Sequence, residues 1–560
     1  YHHLKGGRIL RSVPRDNEAT NETWLSDRDR YSQQGLYAAD RVMQPMIKAN
    51  GEWQTASWDE ALKTSARLLR AAGEPESTGL NALMSPNAGT EEHFLAQHLV
   101  RELGGCIDHR LREQDFSDDA TRAISPAFEM TIAQMQSADA VLLVGCNPRH
   151  EAPILGHRLR KAWQSGGRIS AINPLDWEFI FDIEHNIVAA PQYMLAELAG
   201  VALAVAGVSG KDLPSGLAAL AAGLDPEARH QDIAEQLQSS ERGLLMLGQF
   251  AMNHHEAGAL RALAKWIAGA GNCALNLLPF GVNSVGAWMA GAVPHRGPGG
   301  SSVAARNTAE YSRIAQGSTA FLWDLEPEFD VDNPGATVTA LKSAKAVIAV
   351  SVFATESLKE LADVILPLAP LAESEGSIVN LDGERMNYAP AGKVQGEARP
   401  GWKILRWLGD HLGFEGFSQV SLTELQTQVY AAIETQLAAS STGEKSANET
   451  HEFTRSKPGK ELYRVGEVPM FSTDPLCRRA TALQETIHAQ SQFVGLNPAD
   501  AGRLGLIDGG TARVRQNDAY VDLPVTLSDR VPAGAAWVRS AICSARELGS
   551  ASGIIGVELA

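Results

Sequence analysis

Five runs constrain this chain more than anything else in it. They lie near 138–145, 244–248, 319–323, 346–350 and 364–366, and nearly every position in them is apolar. A strand that is greasy on both faces has to be covered on both faces, so such runs specify parallel sheets held between helical layers. Between them lie helical stretches. Ser57 with Glu60 three residues on marks an N-terminus near 57 for a helix to about 72. Further helices are expected to about 103 and over 153–166, 256–268 and 400–412. Strands therefore alternate with helices from about 45 to 430, a doubly wound α/β pattern. Residues 8–13 alternate like a half-buried strand, and 21–28 read as a turn.

The pattern then changes. Residues 437–463 are small, polar and aperiodic, which reads as a linker or mobile loop. Past about 488, alternating runs at 511–515 and 520–525 flank Gln516, Asn517 and Asp518, a hairpin within a small β-barrel. The expected division is a small irregular or β module at 1–45 and a discontinuous α/β domain from 46–130 plus 320–436. A Rossmann-like domain at 131–319, a linker at 437–479 and a barrel at 480–560 complete it. A chain of 560 residues calls for roughly three to five such units.

Composition excludes several functions. The formal charge of −17 argues against a nucleic-acid surface, which needs a basic footprint. No run reaches the roughly 18 consecutive apolar residues of a membrane span. The stretch 195–208 reads as a core helix, and direct membrane insertion is not expected. Cys106, Cys146, Cys273, Cys477 and Cys543 have neither disulfide nor cluster spacing, and each is expected to be a buried structural thiol. No signal peptide is apparent, and the chain reads as the later portion of a longer protein.

Candidate sites are few. Gly145-Cys146-Asn147-Pro148-Arg149 sits at a strand's carboxyl end, where α/β sheets bind ligands, but without a glycine fingerprint it reads as a structural turn. His254-His255-Glu256 lacks a metal-binding frame and is expected to solvate a helix start. Glu373, Glu375 and Glu384 with Arg385 read as a structural loop with one ion pair. Residues Pro294 to Gly300 resemble a phosphate cradle loosely and, with two prolines, read equally well as an interface loop. No nucleophilic triad, P-loop or zinc frame is recognisable, so no catalytic residue is assigned.

Several strings resemble one family. Asn21-Glu22-Thr23-Trp24-Leu25-Ser26-Asp27-Arg28, Asn147-Pro148-Arg149-His150-Glu151-Ala152-Pro153, the stretch 353–385 and Gly396-Glu397-Ala398-Arg399-Pro400-Gly401-Trp402-Lys403-Ile404-Leu405 are similar to the large iron–sulfur subunits of bacterial NADH:quinone oxidoreductase, respiratory complex I, within the molybdopterin oxidoreductase superfamily. The stretch from Leu496 to Gly509 resembles a molybdopterin-dinucleotide-binding barrel. The resemblance implies a molybdopterin-oxidoreductase-like scaffold of doubly wound domains ending in a β-barrel, serving as a cofactor-free platform. A preceding portion would carry one [2Fe–2S] and two [4Fe–4S] clusters and no molybdenum. Implied partners are the flavin- and NADH-binding and quinone-side subunits, on the cytoplasmic side of the bacterial inner membrane. Some relatives hold an extra [4Fe–4S] cluster whose last cysteine corresponds to Ser26, so that cluster is expected to be missing here. The rival reading is a working formate dehydrogenase-like enzyme, with Cys106 or Cys146 as the only conceivable thiolate ligands.

Overall fold

The apolar runs become strands buried along their whole length. In the computed structural model, which describes residues 1–560 except 75–76, 78, 304–313, 315, 442–452, 456–458 and 490–491, they sort into two sheets and a barrel. The five-stranded sheet is wholly parallel, in the order Ala274–Leu277, Gly243–Leu247, Ala140–Val144, Arg168–Asn173, Asn186–Val188. The seven-stranded sheet joins chain segments far apart in sequence. Leu80–Met84 lies between Cys106–Asp108 and Thr319–Trp323, followed outward by Ala346–Ser351 and Val364–Pro367, all parallel. An antiparallel edge of Met46–Ala49 and Glu52–Thr55 completes it.

Helices cover both faces because their apolar residues recur every three to four positions. Trp58–Ala72 buries Trp58, Ala61, Leu62, Ser65, Ala66, Leu69 and Ala72, and Ser57 caps it by accepting from the Glu60 N–H at 3.3 Å. Pro191–Ser209 is long and apolar enough to cross a membrane by length and composition. It packs instead against Ala228–Ser239 and Ala257–Gly271 as a core helix.

The closed barrel runs Leu462–Val465, Ala535–Trp537, Val494–Leu496, Ala519–Leu527, Thr511–Gln516, Ile554–Leu559. Its first strand lies upstream of the expected start at 480. The expected linker at 437–479 needs further correction. Helix Leu422–Ser441 continues past 437, carried by a stripe of Leu425, Val429 and Ile433 buried in the core. Residues 442–452 and 456–458 of that linker lie outside the described residues. Its far end is a packed strap: Phe471, Cys477, Ala480 and Leu483 form a small core with Tyr31 and Met470. The glycine-rich stretch 281–312 also contains a helix, Ser284–Met289, while 304–312 lies outside the described residues.

The strap is bolted down by charge. Arg478 reaches Glu326 and Asp330, each at 2.8 Å, and Arg479 reaches Glu326 and Asp40, each at 2.5 Å. Gly35 admits the strap because a Cβ there would stand 2.3 Å from the Leu476 carbonyl oxygen. A second bolt joins Arg41 to Glu373 at 2.7 Å, both side chains nearly inaccessible. The ion pair expected in the acidic loop is therefore made with a residue 332 positions away. Arg385 instead stacks over Tyr430 at 4.0 Å.

Truncating Arg41 to Ala leaves the Glu373 carboxylate buried with only the Gln395 N–H as donor. Arg41→Ala is expected to lower unfolding free energy by about 3–5 kcal/mol, read as the shift in denaturant midpoint. Arg41→Ala combined with Glu373→Leu should recover part of that loss.

Candidate functional site

Loops leaving the carboxyl ends of both parallel sheets meet around a cleft of about 440 Å³. Asn87, Arg112, Glu151, Gln249, Phe280 and Leu325 each follow a different strand and each line it. Ligands of open α/β sheets bind in this place, above all where neighbouring strands send their connections in opposite directions. In the five-stranded sheet that switch point falls between Ala140–Val144 and Gly243–Leu247.

At the switch point the two loops nearly touch. Gly145 has φ +51°, and a Cβ on it would stand 2.6 Å from the Ala251 nitrogen. The N–H groups of Asn147 and Gln249, which could hold an anionic ligand, both donate to the carboxyl of Glu151, at 2.8 and 2.9 Å. The loop read from sequence as a structural turn is thus closed by its own side chain. Burial pushes the Glu151 carboxyl up to about 7 despite these two donors.

Two of the cleft's three arginines are held by carboxylates, while the third, Arg28, donates to the Glu151 carbonyl at 3.3 Å. Arg110 is held by Asp108 at 2.8 Å and Asp119 at 2.6 Å, and Arg112 by Asp330 at 3.1 Å. Behind them, Glu113 pairs with Arg122 at 2.6 Å and Asp118 with Arg261 at 2.5 Å. Burial pushes Glu113 up, but Arg122 and Arg261 overcome it and hold the carboxyl at about 2. Sequence reading missed this network. Its members lie at separations such as 143 and 218 residues and follow no motif.

The resemblance to molybdopterin oxidoreductases implies a molybdopterin group for such a cleft, and the donors present decide whether it could sit here. No cysteine is among the lining residues. Cys106 is 4% exposed within a strand, and Cys146 is 0% exposed, with burial and then Glu151 driving its thiol well up. The three lining serines are engaged: Ser284 donates to the Phe280 carbonyl, Ser85 accepts from the Asn87 N–H at 3.3 Å, and Ser26 is bonded to Asp29. With no lining thiolate, Ser26 and Ser284 donating within the chain, and the Asn147 and Gln249 N–H groups, Arg110 and Arg112 taken by carboxylates, these residues do not fit the group. An iron–sulfur cluster fits residues 1–34 no better, since that stretch has no cysteine. Ser26 caps helix Asp27–Tyr31, accepting from the Asp29 N–H at 3.1 Å and donating to its carboxylate at 2.5 Å.

The remaining candidates resolve as follows. His254 does not solvate a helix start: it is 0% exposed. Its Nε2 lies 2.9 Å from the Pro191 carbonyl, and its Nδ1 accepts from the Glu256 N–H at 3.0 Å. Both nitrogens are taken, so His254, His255 and Glu256 form a poor metal set although their ligand atoms cluster within 4.8 Å. The Pro294–Gly300 loop is internal: Arg296 donates to the carbonyls of Asp119 and Ala120, and Gly299 lies against Ile433. Cys146, Cys106 and Cys477 are buried, whereas Cys273 is half-buried and Cys543 exposed, contrary to expectation.

Burial also raises two further carboxyls, Glu92 to about 8 and Asp324 to about 7. Glu92 accepts from Trp323 Nε1 at 3.1 Å. A carboxyl raised on folding holds a proton that the unfolded chain releases, so its stabilisation fades as pH climbs from about 4.5 through the folded value. Buried histidines act the other way over part of this range, His109 and His295 being held down to about 4, so the test is the difference: from pH 5 to pH 8.5 the denaturant midpoint of Glu92→Gln should rise relative to that of the wild type. A difference that does not change with pH would remove Glu92 from the account.

The family model for molybdopterin oxidoreductase matches residues 41–411, and that for the NADH-ubiquinone oxidoreductase NDSU1/NuoG-like 4Fe-4S domain matches residues 3–34. The chain is 26% identical over 422 residues to the mitochondrial NADH-ubiquinone oxidoreductase 78 kDa subunit of Neurospora crassa, covering 73% of this chain and 49% of that protein. It is 27% identical over 496 residues to an NADH-quinone oxidoreductase subunit of Rickettsia bellii, covering 87% and 63%. The chain thus spans from about half to under two thirds of these relatives. Among solved structures, acetylene hydratase from Pelobacter acetylenicus superposes with a TM-score of 0.67 at 14% identity, over 100% of this chain and 98% of that one, a likeness of fold. The doubly wound scaffold with its terminal barrel, and the match over residues 41–411, place the chain in the molybdopterin oxidoreductase family.

Proposed function

We propose that this chain is the scaffold portion of a NuoG-type component of NADH:quinone oxidoreductase, built into the peripheral arm of respiratory complex I. The complex would be the enzyme, and this portion would do no chemistry. The observation that carries the reading is the pairing of a NuoG-like segment at 3–34 with a molybdopterin-type cleft whose donors are bonded within the chain. Similarity to the NADH-quinone oxidoreductase subunit of Rickettsia bellii supports it, and the formate dehydrogenase-like alternative is not favoured.

On this reading the full-length subunit carries one [2Fe–2S] and two [4Fe–4S] clusters on the part that relatives have beyond this chain. The extra cluster is missing because serine stands at Ser26. A division into modules at 1–45, 46–130 with 320–441, 131–319 and a barrel that begins at Leu462 is kept as a proposal, without a separate linker at 437–479. Partners are the flavin- and NADH-binding and quinone-side subunits, on the cytoplasmic side of the inner membrane.

Affinity purification of the full-length protein from detergent-solubilised membranes tests this. It should bring down flavin and NADH-oxidising activity in one large particle. Recovery as a lone subunit with formate-oxidising or oxyanion-reducing activity would contradict it.

A further inference from the structure

Next to the main cleft, sharing Glu151, Gln249, Asn253 and Phe280 with it, lies a smaller cavity of about 30 Å³. The loops after three strands of the five-stranded sheet, the segment around Trp177 and two pieces of the barrel, Gly466 to Val468 and Ala551 to Ser552, converge on it. Three of its lining side chains carry a buried polar atom with no hydrogen-bond partner among the described residues: Asn147 Oδ1, Asn253 Oδ1 and Trp177 Nε1. Their residues are 3%, 6% and 5% exposed. Orphaned polar atoms at such depth each cost about 1–3 kcal/mol, so three around one small space point to an occupant.

The chemistry of the three atoms selects it. Trp177 Nε1 can only donate, and the two amide oxygens accept. The occupant must therefore accept once and donate twice, as a water molecule does. The volume exceeds the roughly 10–15 Å³ that one water requires. A cation would have to sit against the indole N–H. The carboxylate most able to attract one, Glu467, is already paired with Arg539 at 3.0 Å and takes the Trp537 Nε1 at 3.2 Å. The Glu151 carboxyl, raised to about 7 by burial, already accepts from the Asn147 and Gln249 N–H groups at 2.8 and 2.9 Å.

We propose that this cavity is a resident water site, in which an internal water accepts from Trp177 Nε1 and donates to Asn147 Oδ1 and Asn253 Oδ1, seating the C-terminal barrel against the switch point of the five-stranded sheet. Its place explains why polar side chains, rather than apolar ones, meet at a joint buried on every side. The barrel already reaches the same loops directly: Gln114 Nε2 donates to the Asn253 and Ser552 carbonyls at 2.7 and 3.0 Å, and His255 Nδ1 meets Ser552 Oγ at 2.9 Å. The water completes the polar seam between these contacts.

A crystal structure of the complete chain near atomic resolution tests the site, with a second crystal soaked in rubidium chloride. A peak about 2.7–3.2 Å from Trp177 Nε1 and from at least one amide oxygen, unchanged by rubidium, is the expected result. An empty cavity, or an anomalous rubidium peak in it, overturns the proposal. Trp177→Phe should lose or shift the peak and raise the unfolded-to-folded ratio about two- to tenfold. The wild-type crystals decide the matter even if that variant fails to fold.

Discussion

Pairing buried guanidinium groups with buried carboxylates is the constraint on which the rest of this structure depends. An ion taken out of water costs several kcal/mol even after relaxation, and only a close opposite charge with good hydrogen bonds offsets that. The chain meets the condition repeatedly: Arg110 with Asp108 and Asp119, Arg261 with Asp118, Arg41 with Glu373, Arg478 and Arg479 with Glu326, Asp330 and Asp40. These pairs tie the entry segment, the acidic loop and the strap after helix Leu422–Ser441 to the carboxyl-end surface of the sheets. Removing one partner would leave the other stranded, so the pairs fix geometry more firmly than apolar contact alone.

The same pairing decides what the cleft can do. A cofactor cleft in an α/β protein works by offering unpaired donors, backbone N–H groups and basic side chains, to an incoming anion. Here the donor pair at the switch point faces Glu151, and Arg110 and Arg112 face aspartates of their own chain. The shape of a binding site persists while its valences are filled from within.

Much of this was legible in the sequence, for a physical reason. Runs such as 140–144 and 346–351 are buried throughout, and only a parallel sheet between helices buries a strand that way. Ser57 announced a helix start, and the alternation around 511–525 announced a hairpin in the barrel. The strap was misread because Pro475, Cys477, Arg478 and Arg479 look like linker composition until Glu326 and Asp40 are brought beside them. Helix Leu422–Ser441 is absent from the helices expected from sequence, and its end falls in the expected linker because its last turns are small and polar, although Leu425, Val429 and Ile433 set its register. His254 looked like a surface residue for want of any local sign of its bond to the Pro191 carbonyl. Pairs that close over more than a hundred residues leave no periodic trace, so the cleft's loops could be placed from sequence but its chemistry could not.

The most direct test of the central claim is metal and pterin analysis of the chain purified from a host that makes molybdenum cofactors. The account requires no molybdenum above background and no pterin fluorescence after acid denaturation. One molybdenum and its pterin released per chain would contradict it.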